Sequence, residues 1–302
     1  MGRAVETRLR KKGDARLGRS VLVPYIFVAP FFLLFAAFIL YPVLYSLALS
    51  FSEWSAGGMT FVGLDNYRRL FTDGLFLKSL FNTALILFVQ VPIMVSLATV
   101  IAAVVDSELL RYKTFFRLAF FLPVMVDLVT YSVIFSLIFS ERYGIVNQGL
   151  TAVGLGPIEW RSDAFWARVL IIVAITWRWT GYNSVIILSG LQNIPKELHD
   201  AASVDGAGRL TRFFRITVPL LRPVILFCAV LSTIGTLQLF TEPYILTSGG
   251  PNNATLTGFY YLYETAFGSF DFGLAAAGTY VIATIIAVMS YAQIRLTRWG
   301  EV

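Results

Sequence analysis

The chain has a single cysteine and a single histidine in 302 residues, and charged side chains make up only 14% of it. Cys228 lies alone inside an apolar run, which excludes a disulfide framework and a thiolate metal site and leaves it as a small core residue. His199 sits in a hydrophilic segment, so neither a Ser-His intramembrane protease nor a histidine metal site fits, and it reads as a solvated position on a helix face. No GxxxxGKS or GxxxxGKT phosphate loop occurs, so the chain lacks the usual means of hydrolysing ATP by itself. A TVGYG-type ion filter is missing as well. The scarcity of charge excludes most: soluble domains carry about 25% charged residues.

What fills the chain is apolar: 57% of residues are hydrophobic and the mean hydropathy is +0.72. Six runs, at 21–49, 79–105, 118–139, 165–190, 223–246 and 273–294, exceed the roughly 18 residues a spanning helix needs. Backbone groups in lipid must be paired within the segment, so each run is expected to be helical. The expected fold is an all-α membrane protein of six transmembrane helices, with a basic tail at 1–20 followed by a six-helix transmembrane domain over 21–302. The N-terminal run is too long for a signal peptide and ends in no A-x-A-like site, which predicts a retained first span. With the N-terminus inside, seventeen lysines and arginines fall on the inner connections and five on the outer ones. Positive charge is retained in the cytoplasm, so both termini and the connection at 190–222 are placed there. That asymmetry accounts for the net charge of +6 without nucleic acid.

Pro24, Pro30 and Pro42 predict an irregular, peripheral first span. Aromatics and charges alternate at near-helical spacing in FVGLDNYRRLFTDGLFLKSLFNT (61–83), as a short helix on the outer membrane surface requires. In LTSGGPNNATLTGFYYLYETAF (246–267), Gly249, Gly250 and Pro251 demand a sharp turn.

The segment PKELHDAASVDGAGRLTRFFRITVPLLRP (195–223) is charged and hinged by glycine between two apolar runs. Pro195 suits a helix start, Asp205, Gly206, Ala207 and Gly208 break the helix near Val204, and a second helix from Arg209 is expected to stop before Pro219. Ala201 and Ala202 present almost no side chain, so a partner surface can approach closely beside the Asp200 carboxylate. Arg209, Arg212 and Arg215 recur every third residue, either as a solvated basic face or as one touching headgroups and a partner. The run is too short to span as a voltage sensor.

Within the spans, Asp127 and Arg178 both fall near the midplane, where an isolated charge is costly; the expectation is that they pair or share a hydrated cavity, as a structural ion pair or as a ligand site. Thr176, Arg178, Trp179, Tyr182 and Asn183 form one helical stripe, and Ser232, Thr236 and Leu239, with Gly235 and Gln238 beside them, a second. Sugars need this mixture of donors and aromatic faces, although small and aromatic residues also line ordinary helix contacts. Glu242 and Pro243 fall near the outer end of the fifth span, in a position suited to an outer gate.

Asp200-Ala201-Ala202, Gly206 four residues on, and Ile216-Thr217-Val218-Pro219 after nine more resemble the EAA signature of ATP-binding cassette importer permeases, with Asp200 in place of the usual Glu and Val218 in place of Leu. The GLxNY...F...NT stretch in 61–83 and the LTxGGPxxxT stretch from Leu246 are similar to those of the family's carbohydrate branch, the maltose and glycerol-phosphate type. Three motifs thus fall in the family's order over 61–267. The resemblance implies a non-catalytic subunit of an importer for a sugar or polyol in a bacterial or archaeal inner membrane. It implies a second permease subunit, two ATP-binding subunits that carry ATP and Mg, and an extracytoplasmic solute-binding protein. It assigns ATPase coupling to Asp200, Ala201, Ala202, Asp205, Gly206, Ile216 and Pro219, and puts the substrate path between the spans flanking the 190–222 loop, where the two polar stripes fall. An ion-coupled secondary transporter, with Asp127 and Arg178 as relay residues, is the alternative, although paired repeats are lacking. A membrane enzyme fits poorly, for want of a catalytic constellation.

Overall fold

The computed structural model describes residues 24–55, 58–107 and 110–298; the basic tail at 1–20 and the ends of both termini lie outside the described residues. In chain order the elements are α1 (Pro24–Ser50), the strands β1 (Ser52–Ser55) and β2 (Gly58–Phe61), and the helices α2 (Asp65–Thr72), α3 (Gly74–Asp106), α4 (Lys113–Met125), α5 (Leu128–Ile138), α6 (Ile145–Ala152), α7 (Ala164–Leu191), α8 (Lys196–Val204), α9 (Arg209–Leu220), α10 (Arg222–Leu237), α11 (Gly258–Tyr263) and α12 (Phe272–Arg298). Helices α1, α3, α7 and α12 are each long and apolar enough to cross a membrane, and the total reaches six only if two bent pairs each count as one span.

The run at 118–139 is therefore not the single helix expected from its hydropathy. It breaks after Met125, and α4 and α5 meet at 98°. Pro123 removes an amide from the last turn of α4. Asp127 then adopts an extended backbone and accepts from the amides of Val129 (2.9 Å) and Thr130 (3.1 Å), capping α5. The second bend, 67°, separates α9 from α10, and α10 ends at Leu237 rather than running on to 246.

Proline acts differently in α1 and α9. A π-helical turn at Ala36–Leu40 precedes Pro42, and another at Phe213–Thr217 precedes Pro219. A proline ring clashes with the carbonyl four residues back, and in both places that carbonyl, of Phe38 or Arg215, lies inside the widened turn. This is why α9 passes through Pro219 to Leu220 instead of stopping before it. The first span is exposed along most of its length and is buried only where it ends at Ser50, as its prolines predict of a peripheral helix.

The core is built on α3. Its residues Ile86, Ala98 and Ala102 pack with Leu170, Ala174 and Ile187 of α7, all essentially inaccessible, while Leu87, Val91 and Met94 meet Leu237 of α10. One end of the bundle carries the antiparallel hairpin β1–β2, which the sequence reading did not anticipate. Asn66 of α2 holds it by donating to the carbonyls of Ser50 (3.1 Å) and Ser52 (2.9 Å). The same end holds the glycine-rich turn after α10: Lys78 donates to Asn252 O (2.7 Å), Asn82 to Asn253 O (2.8 Å) and Leu256 O (3.0 Å), and Arg168 to Ala254 O (3.0 Å). The helix–turn–helix of α8 and α9 projects from the opposite end.

The connection between α5 and α7 is pinned by Glu141, which accepts from the amides of Arg161 (2.8 Å) and Ser162 (2.9 Å) and from the Ser162 hydroxyl (3.0 Å). Partial burial pushes its carboxyl up, but these bonds outweigh it and hold the group below the ordinary glutamate value of 4.5. A folded value below the unfolded one means that the stabilisation is complete above about 4.5 and is lost as pH falls through the depressed folded value. Hydrogen exchange at the Arg161 and Ser162 amides, corrected for intrinsic rates, is expected to accelerate on acidification below that window. In Glu141→Gln, which keeps a neutral acceptor that does not titrate, the acceleration is expected to disappear; a pH-independent rate in the parent would refute this role.

Candidate translocation cavity and coupling segment

A cavity of about 200 Å³ opens between α7, α10 and the stretch that follows α10. Eight of the ten residues on the two polar stripes line it: Trp179, Tyr182 and Asn183 from α7, with Ser232, Gly235, Thr236, Gln238 and Leu239 from the other wall. Thr176 and Arg178 do not line it, because α7 turns them toward its neighbours. The break after Leu237 matters here, since leaving the helix lets Gln238, Leu239 and Glu242 face one space.

Sequence reasoning missed Gln90 and Met94 of α3 in the wall. Gln90, buried in an otherwise apolar run, accepts from the Thr236 hydroxyl (3.2 Å) and points its amide at the Met94 sulfur (3.2 Å). An amide in mid-span was the signal available. Asn183 donates to Trp179 O (2.9 Å), while its Oδ1 is buried without a donor, leaving an acceptor at the cavity wall. Glu242, expected at the outer end as a gate, is 3% exposed, lines the cavity and accepts a short hydrogen bond from the Tyr131 hydroxyl.

Arg178 forms no ion pair with Asp127, and the expectation of a shared charge pair is corrected. The guanidinium, 5% exposed, donates to the carbonyls of Val126 (2.7 Å), Pro123 (3.3 Å) and Val124 (3.3 Å), and lies 4.6 Å above the Tyr131 ring. A broken helix leaves terminal carbonyls without amides, and in a membrane interior another segment must satisfy them. Arg178 does this for α4 while Asp127 caps α5, so the two charges serve the same break from opposite sides. The pairing that favoured an ion-coupled carrier is therefore not formed.

Close approach makes this possible. A methyl placed on Gly181 would lie 1.6 Å from the Phe120 carbonyl oxygen, so α4 rests on bare α7 backbone one turn from Arg178.

In the candidate coupling segment, Gly206 has φ +77°. The Ala207 amide donates to Ala202 O (2.8 Å) and the Gly206 amide to Ser203 O (3.1 Å), a Schellman ending of α8. Arg212 ties the two helices together, reaching His199 O (3.3 Å) and Ser203 Oγ (2.5 Å). Asp200, Ala201, Asp205 and Gly206 are exposed, whereas Ala202, Ile216 and Pro219 are half-buried. The sequence reading overlooked that Leu198, Val204, Leu210 and Phe214 are also exposed, Val204 by 88%. Apolar side chains displayed around a charged turn mark an interaction surface.

Residues 73–299 match the family described as binding-protein-dependent transport system inner membrane component. The chain is 46% identical over 279 residues to the lactose transport system permease protein LacF of Rhizobium radiobacter, covering 91% of this chain and 93% of that one. It is 37% identical over 295 residues to the arabinooligosaccharides transport system permease protein AraP of Halalkalibacterium halodurans, covering 97% and 93%. Among solved structures, a chain of a bacterial alginate ABC transporter in complex with an alginate pentasaccharide-bound periplasmic protein superposes with a TM-score of 0.79 at 22% identity, covering 94% of this chain and 96% of that one, a likeness of fold. With break, cavity and exposed turn arranged as described, this chain belongs to the family of binding-protein-dependent transport system inner membrane components.

Proposed function

We propose that this chain is one permease subunit of an ATP-driven carbohydrate importer, supplying half of the translocation path and receiving the work of a separate ATPase through α8 and α9. The carrying observation is spatial: eight of the ten residues expected to touch substrate converge on one cavity, and its walls α7 and α10 flank the exposed helix–turn–helix. The relatives named for lactose and arabinooligosaccharide transport support a sugar as cargo. Six spans follow when each bent pair counts as one crossing, and the asymmetry of basic residues puts the α8–α9 end and both termini in the cytoplasm. Trp179 and Leu231, partly exposed at the cavity, face the side where a second permease subunit would close it.

Closure of two ATP-binding subunits would push on the segment around Asp200, Ala201, Ala202, Asp205 and Gly206. Ile216 and Pro219 would carry the motion into α10, opening the cavity toward a solute-binding protein. Covalent chemistry would stay on the ATPase.

The test is co-purification. Solubilised tagged protein is expected to bring down an ATP-binding subunit, and Gly206→Glu to lose it by tenfold or more while inserting normally. Nothing lies within 4 Å of a Cβ at Gly206, so the substitution strains one exposed turn by roughly 1 kcal/mol and adds bulk and charge only to the docking face. A well-inserted parent that is always recovered alone would refute the importer reading.

A further inference from the structure

We propose that this half of the cavity selects neutral saccharides and rejects acidic ones, with Glu242 as the specificity-determining residue. The inference rests on the carbohydrate reading above and narrows it. Among the described residues, no lysine, arginine or histidine lines the cavity, and the single carboxyl group in its wall is that of Glu242. The nearest guanidinium, that of Arg178, stands outside the lining, with three of its contacts taken by the α4 carbonyls and the Tyr131 ring lying over it. Arg178 therefore faces Glu242 through Tyr131, whose hydroxyl donates to the carboxyl, and its Nε, which has no hydrogen-bond partner, is buried outside the lining.

A uronate, aldonate or sulfonate entering this space would shed water from its charge, meet no cation in the lining, and lie against a carboxyl group. A buried unpaired charge is strongly disfavoured. A neutral sugar faces the opposite situation. Asn183 Oδ1 is buried without a donor, and Glu242 has a second oxygen beyond the one Tyr131 reaches, so two acceptors await hydroxyl groups. Trp179 and Tyr182, their rings 5.8 Å apart and nearly perpendicular, supply apolar faces for C-H surfaces.

The purified transporter complex, without its solute-binding protein, would be titrated with lactose, lactobionate and lactobionamide and with the corresponding maltose series. The readout is the fluorescence change that disappears in Trp179→Phe. Lactobionamide shares its skeleton with lactobionate but carries no charge, so it separates charge from shape. The neutral sugars are expected to saturate, and lactobionate to bind at least about tenfold more weakly than lactobionamide. Glu242→Gln, which keeps an acceptor for Tyr131, is expected to narrow that gap several-fold. Equal or tighter binding of the acid in the parent would overturn the inference while leaving the carbohydrate reading intact. A gap that persists unchanged in Glu242→Gln would overturn the assignment to Glu242. Silence toward every neutral saccharide would overturn the carbohydrate reading itself.

Discussion

Replacing Arg178 with methionine is expected to remove most of the folded protein from the membrane, and adding Asp127→Asn is not expected to restore it. Arg178 is an acceptor-saturating group: its guanidinium serves three carbonyls at the end of α4, from 2.7 to 3.3 Å away. Methionine fills similar volume and serves none. Stranding buried acceptors and losing charge-assisted bonds puts the cost on the order of 3–5 kcal/mol, against total stabilities of about 5–15 kcal/mol. An ion pair with Asp127 would behave otherwise, since removing both charges would relieve the penalty. Monodisperse yield after solubilisation, compared across the parent, both single variants and the double variant, decides between these. Recovery in the double variant would show that the pairing governs after all. Asp127→Asn alone is expected to be mild, because asparagine also caps helices well.

Gly181→Ala is the second large effect. The added carbon would sit 1.6 Å from Phe120 O and 2.5 Å from its carbonyl carbon, so α4 must retreat by roughly 1.5 Å. Overpacking of this kind costs about 1–3 kcal/mol or more. Here the displacement also draws the α4 carbonyls away from Arg178, so the expected loss lies at the top of that range, with Gly181→Val worse. Gly149→Ala is the matched control, in a helix with nothing within 4 Å of the new carbon. Unfolding temperature of the solubilised complex is the measurement. Equal behaviour of the 149 and 181 variants would show that the α4–α7 contact yields freely.

These two residues mark where the sequence stopped being legible. A charge in mid-span is visible in one dimension, and Arg178 was singled out correctly as one that needs a partner. Its partners are carbonyls, which every residue carries and no sequence distinguishes. The break that exposes them was signalled only faintly, by Pro123 followed four residues later by Asp127, a stop and a start that hydropathy averages away. Gly181 gave no signal, because its role depends on which helix lies opposite. Periodicity served well on α7, where a regular helix keeps Trp179, Tyr182 and Asn183 on the cavity side. Glu242 was harder to place, since the chain leaves helical geometry after Leu237 and the extrapolated axis carries it to the bundle's end. The motif residues Asn66, Tyr67, Asn82 and Thr83 could be matched but not explained. Asn66 anchors the hairpin, Tyr67 meets the Ser50 hydroxyl (2.8 Å), Asn82 holds the glycine-rich turn, and Thr83 accepts from the Gly258 amide (3.0 Å).

The glycine-rich turn and the hairpin end bear on how such a chain acquires its orientation. Two of the five basic residues that count against the assigned topology have partners once the fold is complete, Lys78 on Asn252 O and Arg69 on Asp271 at 2.8 Å. During insertion, before those partners are in reach, both act as mobile positive charges that oppose translocation. In the proposed topology the folded molecule thus uses on its outer surface the residue type that its biogenesis disfavours there. The excess of basic residues at the other end would make that use affordable: the inner connections would hold the chain's direction with enough margin that its outer end can employ cations as fasteners.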